Sequence, residues 1–583
     1  MFEDPYFPVD SALGEDLAAK YPGVTWLRAS EVPGASLFGE ANGMAISPAD
    51  VVEGALDDCY LVGALTLLAQ HPSMVKALFH AEKSSSHDGR HCVRVWQQGT
   101  RIEVVVDDRI PCDPSSSQPI FARCRRSSGF WVQIVEKAFA KLHGSYGSLS
   151  GGSTAEALHD LTGRPVFDYN LEQPDVRADI REGQLWSEVC EHVQAHSMVA
   201  CEAIKSGPRV EADSHQGLIL NHAYCVLEAR ELAAERGSDP VKMLRLRNPW
   251  GSAPTWSGPF CAGSSEWMLL TAQARACASQ DGSTGCFWLS WDAFCSAFNR
   301  IHVCWMSAAG SQGGGAGASQ GEGSGGVWDK GGGLDSEGGV PVARVACSVS
   351  ELESGGCSYS PTFWHNPAFV LRRQHLPAAP GEAEDAQDTG RGCICDGDDD
   401  VHQDIVVAVT LCLRDKRRQL RGLGLGAHAP LSYLQVGTSI LRPRKRHSPH
   451  GHEGGGESWA KGEGEVDASS PLCLLPGNHQ VCGRSRFWNK REVSRRVSLK
   501  MGEELVVVPS TWEAGVPVDY VLLIHQWKRG RPGFFFEKKL IFFGHTHSYV
   551  SLIREWKQGS PRQLSGRSTS LWCVKCTVNV LGH

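Results

Sequence analysis

Hydrophobic residues recur with a helical period in two segments of the first half of the chain. In YLVGALTLLAQ, the side chains of Leu61, Leu65 and Leu68 fall on one face, and His71-Pro72 ends the pattern. The segment WVQIVEKAFAKLHG repeats this period. We therefore predict two helices here, the first of them amphipathic.

Strand-like alternation appears on both sides of these helices and then dominates the second half. The first half contains RVWQQGTRIEVVVDDRI, AYCVLEA and KMLRLRN, and the second half contains FVLRR, DIVVAVTLCL, ELVVVPST and DYVLLIHQW. The pattern predicts a mixed α and β region followed by an antiparallel β-sandwich.

Glycine separates these two regions. Of the 30 residues from Gly310 to Gly339, 14 are glycine, and such a segment has almost nothing to bury. We predict a linker over 307–342 between a region of residues 1–306 and one that begins at 343. With 583 residues, the chain is long enough for about three units, so we expect the first region to contain two lobes.

Charge and cysteine content narrow the class of protein. The formal net charge is -8, which gives no overall positive field for nucleic acid. The 21 cysteines form no regular framework, so we expect a reduced, cytoplasmic setting. The start of the chain has no signal-peptide pattern, and no apolar run reaches the ~18 residues of a membrane span.

The first candidate for chemistry is Cys59, in GALDDCYLVGAL. It stands where the first predicted helix begins, after Asp57 and Asp58, whose side chains we expect to cap the helix. The positive end of the helix dipole favours the thiolate of a cysteine at this position. A buried, inert cysteine is the common alternative, so a nucleophile here also requires a base.

The candidate base is His222, in NHAYCVLEA. If this strand pairs antiparallel with KMLRLRN across the connection ELAAERGSDPVK, its start lies beside the end of the second strand, which carries Asn248. A cysteine at a helix start, a distant histidine and an asparagine that orients the imidazole match the arrangement of papain-like proteases.

At this point the chain resembles the calpain family of cysteine proteases. The resemblance runs from FEDPYFP through GALDDCYLVGAL, FWVQIVEKAFAKLHGSYGSLSGGSTAEALHDLTG, NHAYCV and LRLRNPWG to CFWLSWDAF. It implies that Cys59 is the nucleophile, His222 the general base and acid, and Asn248 the orienting residue, with Trp250 shielding the Asn248–His222 hydrogen bond. It also implies lobes at about 1–165 and 166–306, with the active cleft between them.

The second half also resembles the family. The segments CSYSPTFWHNPAFVL and WNKREVSRRVSLKMGEELVVVPSTWEAGVPVDYVLLIHQ are similar to the two ends of its C2-like domain III. We therefore expect a β-sandwich over 343–528, with inserts near 377–402 and 442–482, and a tail over 529–583 of unknown role. No EF-hand loop pattern is present, as in an atypical calpain.

The implied fold is α+β, a papain-like two-lobed cysteine protease core followed by a C2-like antiparallel β-sandwich. Two residues near the nucleophile depart from the family pattern. Glu53 occupies the position of a glutamine whose amide donates to the oxyanion, and an ionised carboxylate cannot donate. A negative charge there also disfavours the thiolate. Asp57 replaces a glycine and narrows the approach to the oxyanion.

The calcium sites of the protease lobes depart further. At the first, Asp50 is retained, and Gly129 replaces a glutamate. At the second, Asp281 is retained. Other aligned positions are Gly43 and Ala45, which can lend carbonyls, and Thr255, Ala262 and Cys286, which replace acidic residues. Calcium takes about 6 to 8 oxygen ligands, so we expect no tight binding and no required cofactor.

The sequence thus predicts a cytoplasmic cysteine endopeptidase that performs limited proteolysis of proteins. The alternative is a catalytically impaired pseudoprotease that serves as a protein- or membrane-binding scaffold, with Glu53 as the distinguishing residue. Protein substrates are the expected partners. Calcium or anionic lipid is a further candidate at the β-sandwich, where the acidic run 396–400 and two basic segments lie.

Overall fold

A computed structural model gives the structure of the protein in two compact units, described in turn. The first comprises the described residues up to 306, and the second the described residues from 343 onward apart from the end of the strand at 518–526. The structure describes 1–32, 34–39, 46–84, 87–125, 129–204, 212–213, 216–235, 238–251, 256–279, 285–306, 343–349, 366, 368–373, 405–413, 435–443, 479–484, 490–500, 503–526, 534–539 and 577–580.

Helices and short strands alternate in the first unit. Its described helices are α1 (Val9–Ala12), α2 (Glu15–Lys20), α3 (Cys59–Leu68), α4 (Pro72–Ala77), α5 (Trp131–His143), α6 (Thr154–Thr162), α7 (Pro174–Arg181), α8 (Gln184–Gln194), α9 (Ala272–Ser279) and α10 (Trp291–Ala297). Its described strands are β1 (Thr25–Arg28), β2 (Val51–Val52), β3 (Arg90–Gln97), β4 (Thr100–Asp107), β5 (Arg109–Cys112), β6 (Arg123–Cys124), β7 (Val166–Asn170), β8 (Met198–Ala203), β9 (Ala212–Asp213), β10 (Ile219–Leu220), β11 (His222–Leu232), β12 (Val241–Arg247), β13 (Cys286–Ser290) and β14 (Arg300–Cys304).

The main sheet of this unit has six strands in the order β13-β12-β11-β8-β14-β7. Smaller two-stranded sheets are formed by β3 with β4, β1 with β5, β2 with β6, and β9 with β10. Every described strand pair with a defined register is antiparallel. Helices together with antiparallel sheets confirm the predicted α+β class.

Two large clusters of buried apolar side chains form the cores of the first unit. One comes mostly from residues 7–166 and gathers around α3 and α5. The other comes from residues 171–303 and lies between the main sheet and α7, α8 and α10. The main sheet contributes to both, because residues of β8, β11 and β14 belong to each cluster. The sheet therefore separates two cores within one unit.

Helix α3 is buried on every side, since all residues from Tyr60 to Leu68 are buried. It lies against β8, β11 and α6, so no side of it faces solvent. The prediction of an amphipathic helix is therefore wrong here, and the polar face inferred from the pattern is absent. The predicted end is confirmed, because α3 ends at Leu68 and Pro72 begins α4.

A buried ion pair anchors α5 to the strands beneath it. The Lys137 ammonium is fully buried and lies 2.5 Å from a carboxylate oxygen of Asp107 at the end of β4. The same carboxylate accepts the backbone N–H of Asp4 at 2.9 Å and binds Arg109 at 2.8 Å. This network ties the first residues of the chain to the unit. Burial by itself raises the pKa of Asp107, but Arg109, Lys137 and the Asp4 N–H hold it far below its usual range.

A second buried charge cluster lies in the main sheet. His302 on β14 contacts Asp168 on β7 through Nδ1, and its Nε2 lies 3.2 Å from a carboxylate oxygen of Glu202 on β8. Burial by itself lowers the pKa of His302, but the charges of Glu202 and Asp168 outweigh burial and raise the pKa to about 9. His302 is therefore an imidazolium at neutral pH, held between two carboxylates.

This cluster predicts a loss of stability at alkaline pH. The pKa of His302 is higher in the folded chain than its ordinary 6.5, so its contribution is complete below about pH 6.5 and disappears as the pH rises through about 9. The shift corresponds to about 3 kcal/mol in the free energy of unfolding. Urea unfolding at several pH values measures it, and Asp168→Asn is expected to make the alkaline decline shallower.

The control for this prediction is His87→Gln, because His87 is exposed and lies outside the cluster. Its profile is expected to follow that of the unchanged protein. If Asp168→Asn and the unchanged protein decline in parallel above neutral pH, then His302 is not the group responsible.

The described part of the second unit consists of strands. They are β15 (Ala343–Val349), β16 (Ala368–Arg373), β17 (Ile405–Leu413), β18 (Val436–Pro443), β19 (His479–Arg484), β20 (Glu492–Leu499), β21 (Glu504–Thr511), β22 (Val518–Gln526), β23 (Phe534–Lys539) and β24 (Thr577–Val580). They form two five-stranded sheets, in the orders β20-β17-β22-β15-β24 and β19-β18-β21-β16-β23. The four strands predicted in this half correspond to β16, β17, β21 and β22.

The segment 529–583 contributes to these sheets. Strand β23 pairs with β16 and places Phe536 opposite Leu371, and β24 pairs with β15. Among the residues that the structure describes, the tail of unknown role predicted over 529–583 therefore contributes two strands to the sheets. The predicted linker 307–342, the acidic run 396–400 and most of both inserts lie outside the described residues.

Two further findings concern the described residues alone. Their cysteines form no disulfide. None of their helices is long and apolar enough to cross a membrane.

Candidate active site

Strands β11 and β12 bring the predicted base and orienting residue together. They pair antiparallel, with Cys225 opposite Arg247 and Val226 opposite Leu246, which confirms the pairing predicted from the sequence. The start of β11 therefore lies beside the residue that follows β12. His222 and Asn248, which occupy these two positions, are buried.

A hydrogen bond of 2.9 Å joins His222 Nε2 to Asn248 Oδ1. The same Oδ1 accepts the backbone N–H of Trp250 at 2.9 Å, and because a backbone N–H can only donate, the Asn248 amide is oriented with its oxygen toward both partners. The Nε2 atom of His222 must then carry the hydrogen. In the neutral imidazole, Nδ1 is left as the nitrogen that can accept a proton.

Aromatic rings enclose this hydrogen bond. The Trp250 ring lies 5.0 Å from the imidazole of His222, tilted by 55°, and the Tyr224 ring meets it edge-on at 5.1 Å. Tyr224 is fixed in turn because its hydroxyl accepts the backbone N–H of Ile219 at 2.7 Å. Trp250 thus lies against the imidazole, which is the position that shielding of the His222–Asn248 bond requires.

The loop that follows Asn248 packs closely against Gly285, and this position requires a glycine. Gly285 has a φ of +82°, and a Cβ on it would lie 3.0 Å from the carbonyl oxygen of Asn248 and 3.0 Å from Gly251. The Gly285 carbonyl accepts the backbone N–H of Asn248 at 2.9 Å. A side chain at position 285 would therefore both strain the backbone and displace the loop that carries Asn248.

Cys59 is the first residue of α3 and is half-buried. Asp58 takes the N-cap position, but its side chain makes no capping hydrogen bond, so the prediction that this carboxylate caps the helix is wrong. The Asp58 backbone carbonyl instead accepts the N–H groups of Leu61 and Val62. The Asp58 side chain is fully buried.

The contacts of α3 with β11 and β12 show where the helix lies relative to His222 and Asn248. Thr66, near the end of the helix, accepts a hydrogen bond from Arg247 at 3.4 Å. One turn earlier, Gly63 faces Ala223 and Pro249, the residues that follow His222 and Asn248. Residues nearer the start of α3 therefore contact positions nearer to His222 and Asn248. Cys59 is the first residue of this helix.

Arg247 was not singled out from the sequence. Its side chain is fully buried and donates hydrogen bonds to the carbonyl of Val51 at 2.9 Å and to the hydroxyl of Thr66. It thereby reaches the core that gathers around α3 and α5. An arginine within the apolar alternation of KMLRLRN was the available signal. Because Arg247 directly precedes Asn248, it fixes the end of β12 against α3 and β2.

Glu53 lies next to this loop. Its backbone N–H donates to the carbonyl of Pro249 at 3.2 Å, and its side chain is buried. Asp57 adopts a φ of +46°, a left-handed conformation in which glycine is the favoured residue. The two residues that depart from the family pattern therefore both lie in the segment before Cys59. Glu53 places a buried carboxyl group there, and Asp57 has a strained backbone conformation.

The positions aligned with the family's calcium sites, called the remnant positions below, offer few ligands among the described residues. Asp50 is buried and provides a carboxylate. Gly129, which bridges to Ser36, and Ala262 carry no side-chain oxygen, and Cys286 provides a thiol. Gly43, Ala45, Thr255 and Asp281 lie outside the described residues. The described donors do not fit a site that requires several carboxylates.

A cavity of about 490 Å³ lies elsewhere in the first unit. It is lined by residues around α7 and the end of α10, among them Arg177, Arg181 and Phe298. None of Cys59, His222 and Asn248 is among its described lining residues. Hydrogen-bond geometry, rather than the size of this cavity, therefore locates the candidate site.

Comparison with known proteins gives a consistent set of relatives. The profile of the calpain family cysteine proteases matches residues 2–305. Calpain-8 of Mus musculus is 28% identical over 546 residues, which cover 91% of this chain and 66% of the relative. Calpain-A of Drosophila melanogaster is 27% identical over 541 residues, covering 90% and 55%. The calpain-type cysteine protease DEK1 of Zea mays is 34% identical over 260 residues, covering 45% and 12%. The chain thus spans less than two thirds of the length of each relative.

Proposed function

The chain belongs to the calpain family of cysteine proteases, and from this we propose that it is an endopeptidase that cleaves proteins at limited sites through Cys59, His222 and Asn248. The observation that supports the proposal most is the hydrogen bond of 2.9 Å from His222 Nε2 to Asn248 Oδ1. It leaves Nδ1 as the proton acceptor of the neutral imidazole, which is the state that a general base requires.

The proposed reaction has two halves. His222 Nδ1 takes the proton of Cys59, and the thiolate attacks the peptide carbonyl to form a tetrahedral oxyanion. The C–N bond then breaks as His222 returns the proton to the leaving amine, which leaves an acyl-enzyme. Water, deprotonated by His222, hydrolyses the thioester and restores the thiol of Cys59. Asn248 keeps the imidazole oriented throughout, as the third member of such triads does.

We propose that the substrate is an extended segment of another protein. The finer fold that accompanies this proposal is a papain-like pair of lobes, one for each core of the first unit, with the cleft between them. A cleft of that kind accepts a strand-like peptide rather than a small molecule. This supports limited proteolysis, because only exposed, extensible segments of a folded protein can enter.

Glu53 supports a second candidate function, that of an impaired pseudoprotease acting as a protein- or membrane-binding scaffold. Its buried carboxyl stands at the position from which the family donates a hydrogen bond to the oxyanion. An ionised carboxylate there repels the oxyanion, and loss of one such donor costs about 10²–10³ in rate. The endopeptidase proposal therefore includes a low turnover.

We propose that this chain needs no calcium at its protease core. The described donors at the remnant positions, Asp50 apart, provide no carboxylate, and no step of the reaction passes through a metal. A C2-like β-sandwich formed by β15 to β24 is the proposed place for calcium or anionic lipid. Its acidic run lies outside the described residues, so this part rests on the sequence alone.

Labelling with a peptidyl epoxide tests the proposed function. The reagent requires both a nucleophilic thiol and a bound peptide, so we expect one adduct, at Cys59, which peptide mass spectrometry locates among the 21 cysteines. We expect equal labelling with calcium and with a chelator. Cys59→Ala is the matched control and is expected to give no adduct. Modification of other cysteines without Cys59 would rule out the protease and leave the scaffold.

A further inference from the structure

Loop 248–251, which follows β12 and carries Asn248, is hydrogen-bonded to the segment that leads to Cys59. The backbone N–H of Glu53 donates to the carbonyl of Pro249 at 3.2 Å. This bond joins the part of the chain that presents the nucleophile to the part that orients the base. The proposed reaction requires the two parts to keep one geometry, since the proton of the thiol passes between them.

Two arginines hold the ends of this loop. Arg247 directly precedes it, and its buried guanidinium donates to the carbonyl of Val51 at 2.9 Å. Arg125 holds the other end, because its guanidinium donates through Nη1 to the carbonyl of Gly251. Both hydrogen bonds have a charged donor, and such bonds are stronger than those between neutral groups. The loop is therefore bound at its start, its middle and its end to the part of the unit that carries Cys59.

The backbone of Arg125 is fixed to the segment before the nucleophile. Its N–H donates to the carbonyl of Asp50 at 2.8 Å, and the residue directly follows β6, which pairs with β2. The guanidinium therefore extends from a backbone that is already held in place. It approaches the loop closely, since a Cβ on Gly251 would lie 3.2 Å from Arg125 Nη1 and 3.1 Å from a methyl group of Val52.

Arg125 differs from Arg247 because it is exposed to solvent. A buried guanidinium requires its hydrogen-bond partners, whereas an exposed one is solvated with or without the Gly251 carbonyl. The contribution of Arg125 to the overall stability of the protein is therefore small. Its effect falls instead on the position of the loop, in which Trp250 lies 5.0 Å from the imidazole of His222.

We propose that Arg125 is a positioning residue, which holds the end of loop 248–251 and thereby the orientation of the His222 imidazole. The role rests on the proposed function of Cys59 and His222. Because Arg125 acts through Gly251 and the loop, and not on the substrate, its loss is expected to lower kcat and to leave KM almost unchanged.

Two substitutions at position 125 separate the hydrogen bond from the rest of the side chain. Arg125→Met keeps an aliphatic side chain without a donor, whereas Arg125→Lys keeps a cation that can donate. For a peptide substrate, we expect Arg125→Met to lower kcat about tenfold with KM unchanged within about twofold, and Arg125→Lys to restore kcat to within about threefold. Arg177→Met, at an exposed arginine on α7, is the matched control and is expected to change neither constant. Equal kcat for Arg125→Met and the unchanged protein overturns the proposal.

A second background tests whether Arg125 acts through the loop. In Asn248→Ala the orienting group is already absent, so we expect Arg125→Met to lower kcat there by less than about twofold. A role in stability alone does not depend on the presence of Asn248. If Arg125→Met lowers kcat by the same factor in both backgrounds, Arg125 acts independently of the triad and the proposal fails.

Hydrogen exchange measures the order of the loop and needs no peptidase activity. The backbone N–H groups of Trp250 and Gly251 both donate to Asn248, so their exchange reports on the loop. We expect both to exchange about tenfold faster in Arg125→Met than in the unchanged protein, and Arg177→Met to match the unchanged protein. Unaltered exchange in Arg125→Met overturns the proposal. Epoxide labelling of the nucleophile is a separate measurement, so failure of the proposed protease function is recognised independently.

Discussion

Replacement of Cys59 by alanine is expected to remove hydrolysis of a peptide substrate almost completely. The thiolate is the only group in the proposed reaction that forms the acyl-enzyme, and loss of a nucleophile that acts within a triad costs about 10⁶ in kcat. His222→Ala is expected to have an effect of similar size, because the thiol then has no proton acceptor on Nδ1. The double variant is expected to be no slower than either single variant, since each already abolishes the same step.

Steady-state kcat and KM for a peptide substrate, measured on the three variants, test this expectation. Folding is checked by Trp fluorescence, because 18 tryptophans report on both units. Cys277→Ala is the matched control, since Cys277 is an exposed cysteine on α9. If Cys59→Ala and His222→Ala lower kcat by amounts that multiply in the double variant, the two residues act independently and the triad assignment is wrong.

The parts of the fold that the sequence could predict are those that short segments determine. The β11–β12 pairing followed from alternation on both sides of one connection, and the end of α3 followed from His71-Pro72. The burial of α3 on all sides could not be predicted, because its neighbours β8, β11 and α6 come from distant parts of the chain. The edge strand β23 could not be placed for the same reason, since its partner β16 lies far upstream.

The residues of the candidate site also differ in how well the sequence could predict them. His222 and Asn248 could be brought together from the sequence because neighbouring strands carry them. The capping role expected of Asp58 was wrong because its side chain is fully buried and makes no capping hydrogen bond to the start of α3, and the periodicity of the segment does not reveal that burial. Arg247 offered one signal, a charged residue at a position that the apolar pattern assigns to the core. Burial of a charged side chain is energetically unfavourable, so we expect such residues to have a structural or functional role.

The second large effect is a gain of activity in Glu53→Gln. The side chain of Glu53 is buried, and its backbone N–H binds the carbonyl of Pro249 in the loop that follows Asn248. Glutamine has the same shape but provides an N–H donor, and it removes a negative charge that opposes both the thiolate and the oxyanion. Since one oxyanion donor contributes about 10²–10³ in rate, we expect kcat/KM to rise by a factor in that range.

The comparison with Glu53→Ala decides whether the donor or the charge matters. Alanine removes the charge but offers no hydrogen bond, so it is expected to raise kcat/KM by less than glutamine does, and Glu82→Gln, at an exposed glutamate, is expected to leave it unchanged. Combining Glu53→Gln with Cys59→Ala should abolish the gain, because the added donor acts only on an oxyanion that Cys59 creates. A gain that survives without Cys59 would come from another protease in the sample. Equal rates for Glu53→Gln and the unchanged protein would mean that position 53 does not face the oxyanion, and the case for an impaired enzyme based on Glu53 would then lose its physical basis.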